Sequence, residues 1–114
     1  MTQITFPFDT EKLWEKFVKH HVFPKKDFQK QAILLRLLEE FEDKRIYAEN
    51  EVNEKLAKHF EDYTFLRREL INFGYMQRNP NTAEYWVVKR TFTHADIEKN
   101  PLLKRHAEPY LAKP

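Results

Sequence analysis

The 114-residue chain contains no cysteine. That excludes disulfides, cysteine-ligated zinc and thiol catalysis, and it fits a reducing compartment such as the cytoplasm. It contains one glycine, Gly74, which excludes long flexible linkers and Gly-rich nucleotide loops. No apolar run approaches the roughly 18 residues needed to span a bilayer, and Met1 to Phe8 lacks the basic start and apolar stretch of a secretory signal. Formal net charge is only +2, so any affinity for nucleic acid must come from a local patch. G-x-S-x-G and P-loop patterns are absent. The five histidines, His20, His21, His59, His94 and His106, form neither an i, i+4 pair nor H-E-x-x-H. The expectation is a cytoplasmic domain that is not an enzyme, takes no cofactor or metal and does not associate with a membrane.

What the chain does have is core-forming material, 41% apolar and 15% aromatic, enough for one packed domain. Asp9 stands as an N-cap before Leu13, Trp14, Phe17 and His21 at helical spacing, with Phe8 and Leu13 at staple positions and Pro24 as the stop. From Asp27 to Phe41, Phe28, Leu34, Leu35, Leu38 and Phe41 make one broad apolar face, widened by Ile33 and Leu37, which predicts the central core helix. Arg45-Ile46-Tyr47 reads as a very short strand. A helix follows from Glu49 with Val52 and Leu56 at i, i+4. After a break at His59 to Glu61, another helix from Asp62 to Phe73 buries Tyr63, Leu66, Leu70 and Phe73. Gly74 then supplies a left-handed stop. Tyr75 to Arg78, the turn signal Asn79-Pro80-Asn81-Thr82, and Ala83 to Val88 read as a hairpin.

This order predicts a mainly α fold with a small antiparallel hairpin, the arrangement of a winged helix-turn-helix. The expected organisation is an N-terminal helical extension over 1–26, the winged helix-turn-helix over 27–90 and a tail over 91–114. In the tail, Thr93 and Asp96 form a capping pair and Asn100-Pro101 starts a second helix. Leu102, Leu103, Tyr110 and Leu111 are expected to pack on the domain or a partner. One core should gather Leu34, Leu38, Val52, Leu56, Leu66, Leu70, Met76 and Tyr85.

Tyr47-Ala48-Glu49-Asn50-Glu51-Val52-Asn53, His59, Asp62, Leu66-Arg67-Arg68-Glu69-Leu70, Gly74, Arg78 and Glu84-Tyr85-Trp86 carry a resemblance. Over about Lys30 to Lys89, the chain resembles a bacterial family of small winged-helix-like domains of unknown function, found alone or attached to helix-turn-helix transcriptional regulators. The N-terminal helix and the tail fall outside the resemblance, which implies a fold more than a function. Ala48 stands where that family carries a small hydroxyl residue. A hydroxyl there would cap the helix at Glu49, and its loss weakens the helix start by about 1 kcal/mol.

At 100° per residue, Thr64, Phe65, Arg68 and Asn72 are expected opposite Tyr63, Leu66 and Leu70, and Arg and Asn suit guanine and adenine edges in a major groove. Arg78, Lys89 and Arg90 flank the hairpin base as candidate phosphate contacts. The bland alternative for both sets is a solvated surface. Arg67 is expected to lay its stem on apolar surface and form a structural ion pair with Glu51. Glu49, Glu51 and Glu54 make an acidic cluster on this helix that would repel DNA if it faced the duplex. Lys12, Lys16, Lys19, His20, Lys25 and Lys26 are either a phosphate-binding arm or a solubilising face. Two functions are therefore expected in competition. One is a DNA-binding transcriptional regulator contacting double-stranded DNA, as a homodimer. The other is a protein-interaction or dimerisation module, joining another copy or another regulator.

Overall fold

Local chemistry accounts for most of the elements. The computed structural model describes residues 3–111, with side chains through residue 109. Asp9 Oδ1 accepts from the Lys12 amide at 3.1 Å and opens α1, Thr10–Lys19, as its carboxylate predicts. Trp14 is buried in the main core, with Leu13, Phe17 and Val18 packed against it. Beyond α1 the chain turns through His21 at φ 53°, whose Nδ1 donates to the His59 carbonyl at 3.1 Å.

The central helix α2, Asp27–Leu37, tightens into a 3₁₀ turn over Leu38–Glu40, so it ends before Phe41. Arg90 explains the stop: it donates to the Leu38 carbonyl at 2.7 Å and to the Phe41 carbonyl, satisfying groups a continuing helix would use. Nor does α2 bury a single face. Ile33, Leu34, Leu37, Leu38 and Phe41 enter the main core, whereas Phe28 enters a second cluster with Ile4, Phe92, Ile97, Leu103 and Ala107.

Strand β1 is Tyr47–Ala48, shifted from Arg45-Ile46-Tyr47; Ile46 is exposed. It leads into α3, Glu49–Ala57. Alanine cannot cap, and only half a capping box forms: Glu51 Oε1 accepts from the Ala48 amide at 2.9 Å. Helix α4, Tyr63–Asn72, starts at Asp62, whose side chain accepts from the Phe65 amide at 3.2 Å. It stops where Gly74 adopts φ 82°, a conformation that penalises any Cβ. Leu66 and Leu70 are buried, while Tyr63, expected inside, is exposed.

The hairpin follows as β2, Met76–Asn79, and β3, Glu84–Val87. Asn79 Oδ1 accepts from the Asn81 amide at 2.9 Å, and Ala83 turns the corner at φ 56°. The antiparallel sheet has the order β1-β3-β2, with Tyr47 opposite Tyr85 and Met76 opposite Val87. The eight residues expected in one core all lie in it.

In the tail, Thr93 and Asp96 cap α5, His94–Glu98. Asn100 Oδ1 accepts from the Leu102 and Leu103 amides at 3.1 Å each, opening α6, Pro101–Leu111. Leu103 is buried and Leu102 half-exposed; the side chains of Tyr110 and Leu111 lie outside the described residues. Ile4 donates to the Phe92 carbonyl at 2.8 Å, tying both ends of the chain to one cluster. Among the described residues the protein is thus mainly helical, with six helices and one small three-stranded sheet. Among the described residues, no helix is long and apolar enough to cross a membrane.

Candidate nucleic-acid interface

Burial of Leu66, Glu69 and Leu70 turns the opposite ridge of α4 outward. Arg68 and Asn72 are exposed and Thr64 half-buried on that ridge. Among the described residues, no hydrogen bond or ion pair engages the Arg68 side chain. Asn72 Nδ2 donates to Glu69 Oε1 at 3.1 Å. Phe65 sits at the ridge's edge, 40% exposed. Its ring meets Phe23 at 6.0 Å, with the Lys30 ammonium 5.3 Å above it. A groove of about 450 Å³ runs beside it, lined in part by Val22, Phe23, Lys25, Asp62 and Phe65.

The three cations at the hairpin base are each engaged within the chain. Arg78 Nε lies 3.2 Å from Glu49 Oε1. Lys89 Nζ lies 2.8 Å from Asp96 Oδ1. Arg90 Nε lies 2.7 Å from Asp43 Oδ1, with its remaining nitrogens on the Leu38 and Phe41 carbonyls. Each is held by its own chain, and Arg90 serves as a side-chain cap for the end of α2. The seven residues expected to act together therefore divide into an α4 set and a structural set.

Arg67 also corrects an expectation. It is half-buried, as its stem position implies, but Nη1 donates to Asn53 Oδ1 and Nε faces Glu49 Oε1 at 3.9 Å. Glu51 is not its partner. Glu49 and Asn53 stand four residues apart on one face of α3, while Glu51 lies about 200° around the helix from Glu49. There it serves the Ala48 amide and faces Arg45 Nη2 at 3.5 Å. Glu49 consequently sits at a junction, also accepting from the Tyr85 hydroxyl at 2.7 Å. The Tyr85 hydrogen bond, aided by Arg67 and Arg78, outweighs desolvation and holds its carboxyl below the usual range. Burial and the same hydrogen bond push the Tyr85 hydroxyl up. Of the acidic cluster expected to repel DNA, Glu49 and Glu51 are thus engaged within the chain, while Glu54 is exposed.

A polar network that periodicity alone does not reveal lies behind α4. Lys30 Nζ bridges Asp27 Oδ1 at 3.0 Å and Glu69 Oε2 at 2.9 Å. Burial alone would lower the Lys30 ammonium, but its two carboxylate hydrogen bonds prevail and hold it above the ordinary lysine range. Gln31 donates to the Asp27 carbonyl at 2.9 Å and accepts from Tyr75 Oη at 2.7 Å. Burial, with the Asp96 charge, raises the Tyr75 hydroxyl strongly. The Asp27 amide donates to His106 Nδ1 at 2.9 Å, so α6 caps α2. The available signal was Asp27, Lys30 and Gln31 at i, i+3, i+4 on an otherwise apolar helix. Among the described residues, no group of three or more His, Asp or Glu could hold a metal.

Neither a curated protein nor a solved structure matches the chain. A family model described as "Uncharacterized protein conserved in bacteria (DUF2087)" matches residues 11–87. The match begins inside α1, which the resemblance had left out, in keeping with the burial of Trp14 in the main core. With well over half of its length covered, from α1 through the hairpin, the chain belongs to this family of bacterial proteins.

Proposed function

We propose that the chain is a winged helix-turn-helix regulator that binds double-stranded DNA, with α4 as recognition helix and β2–β3 as wing. The observation that carries this reading is Arg68, exposed and unpaired on the outward ridge of the helix that directly precedes the hairpin. The order of elements, with β1 pairing to β3, supports the winged-helix assignment. In this reading Arg68 contacts a guanine edge and Asn72 an adenine edge. Phosphate contacts shift away from the wing base, because Arg78, Lys89 and Arg90 are already paired. They fall to Lys25, on the groove wall beside Phe65, and to its exposed neighbour Lys26.

Fluorescence anisotropy on selected and scrambled duplexes at two salt concentrations tests this. Affinity should fall steeply with salt. Arg68→Ala should weaken the selected site by about 1–3 kcal/mol relative to the scrambled one. Joint replacement of Lys25 and Lys26 by alanine should weaken both alike. Binding no tighter than about 10⁻⁴ M would overturn the proposal.

One observation favours a second reading, a protein-interaction module. Val22 is 51% and Phe65 40% exposed on one groove, more apolar surface than a DNA contact needs. Sedimentation equilibrium would reveal self-association, which Val22→Asp should abolish if this groove is the interface.

A further inference from the structure

We propose that Glu49 is a positioning residue, a single carboxylate that locks the β2–β3 hairpin to α4 so that the two present one fixed surface. In the DNA-binding reading that surface is recognition helix plus wing. The consequence for DNA rests on that reading, and the lock itself does not.

Chain order puts Glu49 at this point. Strand β1 runs straight into α3, so Glu49, the first residue of α3, follows directly on the pairs Tyr47 with Tyr85 and Ala48 with Glu84. A carboxylate suits that first turn, because the free amides of a helix start favour negative charge. Glu49 Oε1 accepts from the Tyr85 hydroxyl at 2.7 Å and from Arg78 Nε at 3.2 Å. Arg78 and Tyr85 are themselves a cross-strand pair of the hairpin. The same oxygen faces Arg67 Nε, on α4, at 3.9 Å. Among the described residues, no other hydrogen bond or ion pair links an α4 side chain to either hairpin strand, directly or through a shared partner.

Charge turns this contact into a lock. Arg67 and Arg78 converge on one oxygen, and among the described residues neither has a second carboxylate partner. Glu49 is thus the counter-charge that lets two guanidiniums stand close together. The Arg67 side chain is only 14% exposed and held by Asn53, so swinging it away would uncover its apolar stem. Repulsion would therefore displace the hairpin. Elsewhere the hairpin is tied at its base, where the Tyr75 carbonyl accepts from the Val88 amide at 2.8 Å, and by two residue pairs to β1. Met76 and Tyr85 keep it packed on the core, and Glu49 fixes its angle to α4.

The test uses the full chain carrying Glu49→Gln, which keeps an acceptor and removes the charge. Residual dipolar couplings give the orientation of the hairpin amides relative to those of α4, and relaxation dispersion reads microsecond-to-millisecond motion. Glu49→Gln should change that orientation and add exchange at the amides from Gln77 to Trp86, with α2 and the interior of α4 unchanged. Arg78→Gln, at an exposed residue, should loosen the hairpin too, and it gives a reading independent of how Glu49→Gln folds. The double variant should be no more disturbed than Arg78→Gln alone, because the like charge has gone; a merely structural role predicts losses that add. Unchanged orientation in both single variants, exchange spread evenly through α2 and the core, or additive disturbance in the double variant would each overturn the lock. With the selected and scrambled duplexes, Glu49→Gln should lower the preference for the selected site by about tenfold, and scrambled binding should stay within about twofold. An unchanged preference would overturn the consequence for DNA. No DNA binding by the wild-type chain would refute the DNA reading and leave the orientation result standing, so the two failures are distinguishable.

Discussion

Ala48→Ser should stabilise the protein, and the amount can be worked from the structure. Ala48 occupies the N-cap of α3 with φ −72° and ψ 154°, the extended conformation from which a serine hydroxyl reaches the amides of the first turn. Half of the reciprocal arrangement exists already, since Glu51 Oε1 accepts from the Ala48 amide at 2.9 Å. Ala48 is exposed, so an added oxygen meets no packing penalty. Restoring an N-cap hydroxyl is worth about 1 kcal/mol. At about 2.1 cal/mol/K of unfolding entropy per residue, that raises Tm by about 4 °C for a chain of this length. The assay is thermal unfolding followed by circular dichroism, with Ala48→Val as control. Valine suits the β1 position equally well but has no acceptor, so it should give no gain. A valine gain equal to that of serine would refute the capping argument and assign the effect to strand propensity.

Arg67→Ala should cost about 1–3 kcal/mol, because Asn53 and part of Glu49 lose a half-buried partner, while Arg68→Ala stays within about 0.5 kcal/mol; thermal melts that reverse this ranking would show α4 to be wrongly oriented. The depressed Glu49 carboxyl means that the unfolded chain binds its proton first, so its contribution is present above the ordinary glutamate range and is lost as pH falls through the lower folded value. Urea unfolding between about pH 3 and 7 should show this acid loss, and Glu49→Gln should flatten it. Arg90→Ala should cost about 1–3 kcal/mol by stranding the Leu38 and Phe41 carbonyls, whereas the exposed Asp43→Ala should be nearly neutral; equal losses in chemical denaturation would mean that the ion pair, not the cap, is what matters.

Where a property depended on neighbours within one or two helical turns, the sequence determined it. Asp9, Asp62 and Thr93 cap the helices they precede, because a cap reaches only three residues ahead. Gly74 ends α4 and Asn79 organises the hairpin turn for equally local reasons. The core residues Leu34 through Tyr85 were legible because helical and strand periodicities each point to one buried face. Tertiary structure alone decided what the cations do. Arg78, Lys89 and Arg90 read as free charge in one dimension, and only the fold brings Glu49, Asp96 and Asp43 within 3.2 Å of them. It likewise chose Glu49 over Glu51 for Arg67, and it sent Phe28 to a second cluster that the tail completes. The reason is range: capping and periodicity act over a few bonds, whereas the partner of a long charged side chain is whichever opposite charge the packing of distant segments delivers.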